Sequence, residues 1–169
     1  MTQDTGDTVR LRDVTDADVP IFFAQEQDEA AQAMAAFVAR PYGAFLAHWA
    51  RIRADPLNRM QTILWNDEVA GNIGSFELDG EREVGYWLGR AYWGRRVATR
   101  ALAAFLQQER TRPLYAYVAA HNAASRRVLE KCGFRVLREQ PAAPNSPLTA
   151  ANEIVLVLDA ETEQPPGPA

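Results

Sequence analysis

Cysteine occurs once, at Cys132, so the chain closes no internal disulfide and cannot build a cysteine-based zinc site. Histidine occurs only at His48 and His121, and no metal is expected. No apolar run approaches the roughly 18 residues that a membrane span requires. The opening "MTQDTGDTVR" lacks the basic start, apolar stretch and small-residue cleavage site of a signal peptide. A cytoplasmic protein without a membrane partner is expected. A basic excess is also missing: 18 Lys and Arg stand against 22 Asp and Glu, for a net charge of −4 and a pI near 5.2. That balance counts against a general nucleic-acid binder, which displaces counterions from phosphate with excess cations. Neither a GxxxxGK[ST] nor a GxGxxG phosphate loop occurs, and there is no internal repeat or heptad pattern.

What is present fits one folded domain. A length of 169 residues with 47% hydrophobic and 24% charged content is enough for a full core. We place this domain at 1–160 and read the proline-rich "ETEQPPGPA" of 161–169 as a flexible tail. "TVRLRDVT" reads as a first strand. Two helices follow, from Asp18 to Val38 and after Pro41, the second with Phe45, Leu46, Trp49 and Ile52 at helical spacing. "MQTILW", "VAGNIGSFEL" and "REVGYWLG", joined at "ND" and "DGE", predict an antiparallel meander. "VATRALAAFLQQER" has the apolar period of a buried helix. "PLYAYVAA" then reads as strand, "NAASRRVLEKCG" as helix, and "FRVLRE" and "NEIVLVLD" as strands. The resulting order is β-α-α-β-β-β-α-β-α-β-β. "QPAAPNSPLTAAN" is expected to be a long loop.

Two segments hold the candidate chemistry. In "YWLGRAYWGRRVATRAL" a strand ends near Leu88 and a helix starts between Gly94 and Val97. The free N–H groups of a helix start, with the positive end of its dipole, attract anions, and Arg95 and Arg96 add full charge. The same arginines read equally well as solvated side chains. In "HNAASRRVLEKCGF", Asn122 either caps the helix or offers its amide to a ligand, and Ser125 lies one turn on, on the same face.

Together, "GYWLGRAYWGRRVATRAL" and "HNAASRRVLEKCGFR" resemble the GNAT superfamily of acetyl-CoA-dependent N-acetyltransferases, in particular the branch that contains the ribosomal-protein alanine N-acetyltransferases. The likeness is close from Glu83 to Arg135, and the element order extends it over most of the chain. It implies a mixed α+β fold: a central, mostly antiparallel seven-stranded sheet, splayed into a V between strands four and five, with about four flanking helices. It implies acetyl-CoA as cosubstrate. The family's pyrophosphate loop, [RQ]-x-x-G-x-[GA], falls on Trp93, Gly94, Arg95, Arg96, Val97 and Ala98, followed by Thr99. Trp93 replaces Arg or Gln, and Arg96 stands where glycine is expected. The resemblance further implies that the backbone of Tyr86, Trp87 and Leu88 pairs with the pantetheine arm. Asn122 would hold the pantetheine amide and Arg127 would approach the adenosine end.

The same resemblance bears on catalysis. Many members use a tyrosine in the later helix to protonate the leaving thiolate, but Leu129 occupies that position here. Ser125 is implied as the donor instead. Glu83, on the fourth strand, is the leading candidate for the base that takes the amine proton, although a solvated glutamate after the "DGE" turn reads equally well. The expected activity is acetyl transfer to a primary amine, a protein N-terminus or a small molecule, by direct attack in a ternary complex. A catalytically weak or inactive acetyl-CoA-binding regulatory module is the alternative, motivated by Arg96 and Leu129. Acceptor choice is expected to rest on "QEQDEAAQAM" and "PAAPNSPLTAA", with Glu26, Asp28 and Glu29 either attracting a cationic acceptor or forming a solvated helix face. The apolar last strand is compatible with a homodimer.

Overall fold

Tight turns set the sheet. Asn66 and Asp67 take positive φ values of 48° and 65°, and Asp79 and Gly80 take 50° and 81°, the paired left-handed turn geometry that matches strand twist. These turns join β2 (Arg59–Trp65), β3 (Glu68–Leu78) and β4 (Glu81–Leu88) into the expected meander. The computed structural model describes residues 6–143 and 152–160. The tail at 161–169 and most of the expected proline-rich loop lie outside the described residues.

The remaining strands are β1 (Val9–Asp13), β5 (Leu114–Ala119), β6 (Arg135–Pro141) and β7 (Asn152–Leu158). All seven form one sheet in the order β1-β2-β3-β4-β5-β7-β6. Every neighbouring pair is antiparallel except β4 and β5, which run parallel. Among the described residues β4 and β5 pair at one position only, Glu83 with Tyr115. From Val84 to Leu88 the β5-facing edge of β4 pairs with no strand among the described residues. The expected mixed fold with a splay between strands four and five is therefore observed.

The helix count differs from expectation: among the described residues there are five α-helices rather than four. These are α1 (Asp18–Glu26), α2 (Glu29–Ala35), α3 (Tyr42–Ala54), α4 (Val97–Gln108) and α5 (Ala123–Lys131). The single helix expected from Asp18 to Val38 is broken by Asp28, which takes an extended backbone and accepts a hydrogen bond from the Ala31 N–H at 2.8 Å. An Asp in that role favours a new helix start over continuation. Ala36 then ends α2 in the left-handed conformation at φ 52°. β6 also runs to Pro141, two residues beyond the expected "FRVLRE".

Two apolar clusters clamp the sheet. On one face α4 buries Val97, Ala101, Leu102, Phe105 and Leu106 against Ile63, Ile73, Leu114 and Leu156. Such side chains contribute about 1.5–3 kcal/mol each when removed from water. On the other face α1 and α3 pack through Phe22, Phe45 and Trp49, with Phe22 and Trp49 ring centroids 4.9 Å apart. Buried Asp18 fastens α1 to the sheet by accepting from Arg12 at 2.6 and 2.9 Å, from the Thr15 N–H at 2.9 Å and from Thr62 at 2.7 Å. Burial pushes its carboxyl up, but these donors outweigh it and hold Asp18 well below the ordinary carboxylate range. No helix among the described residues is long and apolar enough to cross a membrane.

Candidate functional site

An open cleft of about 470 Å³ lies where β4 parts from β5, between α2, the start of α4 and the inner face of α5. Side chains alternate along β4: Trp87 meets α1 and lines the cleft with α2, Glu83 shares its face of the strand, and Val84, Tyr86 and Leu88 face α4 and α5. Trp87 is fixed by donating from Nε1 to the Gln25 carbonyl at 3.3 Å and by packing on Phe37 at 5.6 Å. Beyond Leu88 a 3₁₀ turn at Arg90–Tyr92 leads into the loop before α4.

That loop is held back onto β4 by Trp93, whose Nε1 donates to the Leu88 carbonyl at 3.0 Å. Gly94 and Arg96 both take left-handed backbone, at φ 73° and 60°. The position where the family pattern has glycine is thus one whose conformation glycine reaches without steric cost and arginine does not. Arg96 occupies the N-cap of α4, and no side chain there accepts from the helix. Among the described residues no side chain caps the first N–H groups of α4. Arg96, Val97, Ala98 and Thr99 line the cleft at that helix start. Uncapped N–H groups, the helix dipole and a cationic side chain together suit a phosphorylated ligand.

Across the cleft, Asn122 caps α5: its Oδ1 accepts from the Ser125 N–H at 3.2 Å. Its Nδ2 donates to Ser125 Oγ at 3.2 Å, leaving a second amide hydrogen unused by that bond. Tyr86 donates to the same Oγ at 3.0 Å from the facing wall. Burial is the main force raising the Tyr86 phenol, to about 12, so it stays protonated. Leu129 is 2% exposed and belongs to the core, pointing away from any proton-transfer role.

Of the residues expected at a site, Tyr86, Trp87, Leu88, Trp93, Gly94, Arg96, Val97, Ala98, Thr99, Asn122 and Ser125 line this one cleft. Three lie elsewhere. The Arg95 guanidinium sits 5.0 Å from the Trp65 ring centroid rather than in the cleft, a cation–π contact that competes with phosphate. Arg127 is exposed on α5 and is not part of the lining. Glu83 is only 8% exposed, at the base of the splay, and makes no side-chain hydrogen bond or ion pair with a described residue. Burial first, then Glu81, Asp79 and Glu153, pushes its carboxyl up to about 7.

Sequence reasoning missed Lys131, the single lysine, which lines the cleft with Val128. The signal was partly available, since Ser125, Val128 and Lys131 follow one another at i, i+3 steps along α5. Ala31, Met34 and Ala35 of α2 form the opposite wall, the first two within the "QEQDEAAQAM" stretch expected to shape acceptor choice. His121 ties that wall to the α5 start through a 2.9 Å contact between Nε2 and the Ala33 carbonyl. His48 lies on α3 beside Arg51, and burial together with Arg40 and Arg51 lowers it to about 4. Of the three acids between 26 and 29, Asp28 caps α2, Glu29 is exposed, and Glu26 is buried and pushed up to about 7, chiefly by desolvation.

Comparison with known proteins agrees with this architecture. No curated protein sequence matches the chain. Among solved structures, an alpha-N-acetyltransferase of ribosomal protein L7/L12, RimL, in complex with coenzyme A is similar with a TM-score of 0.76 at 16% identity, covering 90% of this chain and 94% of that one. The spermidine N-acetyltransferase of Vibrio cholerae, with CoA and spermine, gives 0.74 at 12% identity over 89% and 95%. The Microcin C7 self-immunity acetyltransferase MccE, with acetyl-CoA and AMP, gives 0.74 at 13% identity over 91% and 93%. At such identities the likeness is one of fold. The family model for the GNAT acetyltransferase domain matches residues 8–135, which includes the splayed strands, the uncapped helix start and the Asn122–Ser125 turn. The chain belongs to the GNAT acetyltransferase family.

Proposed function

We propose that the protein transfers acetyl from acetyl-CoA to a primary amine by direct attack within a ternary complex. The observation that carries this reading is the cleft itself. It joins a free β4 edge, an uncapped α4 start and the Ser125 hydroxyl in one continuous groove. A pantetheine arm fits the strand edge, a pyrophosphate fits the helix start, and Lys131 offers a cation to the phosphorylated adenosine end.

Bound acetyl-CoA supplies an activated thioester. The amine nitrogen attacks its carbonyl carbon, the C–S bond breaks with its electron pair on sulfur, and a base takes the nitrogen's proton. Glu83 suits the base: a carboxyl raised to about 7 by burial and neighbouring carboxylates accepts a proton near neutrality far better than an ordinary glutamate. Ser125 suits the donor to the leaving sulfur. The two project toward opposite faces of β4, so that amine and sulfur are served from different sides of the splay. The acidic surroundings of Glu83 favour a cationic amine. A protein N-terminus and a small-molecule amine both satisfy that chemistry.

The placement of buried Glu83 at the one β4–β5 pairing, where the sheet opens, favours turnover over a binding-only module. The test is release of free CoA thiol from acetyl-CoA across an amine panel that includes spermidine and a peptide with a free N-terminal alanine. Amine-dependent release, slowed but still measurable in Ser125→Ala, supports the reading. Tight acetyl-CoA binding with no release against any amine favours the regulatory module.

A further inference from the structure

We infer that Tyr86 is a positioning residue for acetyl transfer: its hydroxyl orients Ser125 so that the serine proton points at the departing sulfur. The inference rests on the transfer reaction proposed above and adds a residue from the strand wall to it.

The argument is one of donors and acceptors. A serine hydroxyl has one proton and two lone pairs. The Asn122 amide cannot flip, because its Oδ1 already accepts from the Ser125 N–H at 3.2 Å. Its Nδ2 must therefore face Ser125 Oγ, as the 3.2 Å contact records. The Tyr86 hydroxyl has Ser125 Oγ as its hydrogen-bond partner among the described residues, at 3.0 Å. The half-buried phenol donates its proton to that oxygen. Both lone pairs of Ser125 are then occupied. No backbone carbonyl among the described residues takes the serine proton, the usual alternative for a serine in a first helical turn. The proton is left to point into the cleft that Tyr86 and Ser125 both line.

In the reaction, sulfur gains negative charge as the C–S bond breaks, and Ser125 Oγ–H meets it with a hydrogen bond. The serine keeps its proton. The amine's proton goes to the base, and the products are the amide, the CoA thiolate and the protonated base. Tyr86 and Asn122, each donating to the same oxygen, polarise the serine O–H and strengthen that bond. The phenol thus acts from the strand wall through one serine, while the later helix carries the buried Leu129.

The test is a double-mutant cycle with Tyr86→Phe and Ser125→Ala, read as thiol release from acetyl-CoA with the best acceptor of the amine panel. Tyr86→Phe keeps the ring and removes only the hydroxyl. The expected result is a kcat loss of roughly three- to tenfold with KM for acetyl-CoA nearly unchanged, and no further loss when Tyr86→Phe is added to Ser125→Ala. Equal fold losses in both backgrounds mark a packing role and overturn the inference. An unchanged kcat in Tyr86→Phe also overturns it, while leaving transfer intact. Absence of turnover in the unmodified protein removes the reaction, and the role of Tyr86 with it.

Discussion

Glu83 of β4 faces Tyr115 of β5 at the one position where these strands pair among the described residues, and past it the sheet opens. The buried carboxyl therefore sits at the root of the splay, with Glu81, Asp79 and Glu153 near enough to oppose its ionisation. Burial and like charge hold it close to neutrality, and two consequences follow for Glu83→Gln. Activity falls by roughly 10²–10⁴-fold, the usual contribution of a positioned base, and the rise of wild-type kcat with pH through about 7 disappears.

Stability moves the other way in that variant. A carboxyl whose folded-state value is raised gives stability that is complete below its unfolded value near 4.5 and is lost as pH rises through about 7. Glutamine escapes that loss. Thermal unfolding is expected to show Glu83→Gln melting above wild type at pH 8, with the difference closing toward pH 5.

Arg96→Gly tests the loop before α4. Arg96 holds a left-handed backbone at φ 60°, which glycine adopts about 1 kcal/mol more easily. The variant is expected to unfold at a slightly higher temperature. Its acetyl-CoA affinity reports what the side chain contributes: a cationic contact to phosphate predicts weaker binding, measured by titration at low and high salt.

Gly71 of β3 guards the geometry of β4. A Cβ there would lie 2.1 Å from the Trp87 carbonyl oxygen and 3.0 Å from the Leu88 Cα, both backbone atoms that cannot step aside. Gly71→Ala is expected to displace the end of β4, lowering stability by about 1–3 kcal/mol and weakening acetyl-CoA binding together. Chemical denaturation and titration check the two effects.

A buried network outside the cleft lining gives a control. Arg82 donates to Glu109 at 2.9 Å, and Ser75 donates to the same carboxylate. Burial raises Glu109, but the Ser75 and Arg82 bonds outweigh it and bring it to about 2. Its stabilisation holds above the unfolded value near 4.5 and fades as pH falls toward 2. Glu109→Gln leaves Arg82 without its charge partner and is expected to cost about 3–5 kcal/mol at pH 7, with acetyl-CoA affinity unchanged in the folded fraction.

Much of this was legible in the sequence where one local rule acts alone. The "ND" and "DGE" turns fixed the meander, and the period of Val97, Ala101, Leu102, Phe105 and Leu106 marked the buried face of α4. The splay and the cleft were reachable only through the family resemblance, because β4 and β5 are separated by α4 and no local pattern records how two distant strands diverge. The break at Asp28 was missed because alanine-rich flanks favour continuation, and the outcome turned on one side chain bonding to the Ala31 N–H. The contact of Arg95 was illegible for a similar reason. Its neighbour Trp65 is thirty positions away in sequence, and ring stacking captured the guanidinium. Tyr86 was read for its backbone, and only the folded chain brings its hydroxyl to Ser125.

The central claim is that acetyl-CoA lies along β4 and meets the start of α4. Calorimetric titration of acetyl-CoA into the purified protein, beside Ala98→Asp, tests it most directly. Ala98 lines the cleft in the first turn of α4, where a carboxylate repels phosphate and fills the approach. Micromolar binding to the unmodified protein, lost in a variant that still folds, is the predicted result. No binding to the unmodified protein, or equal binding to both, would contradict the account.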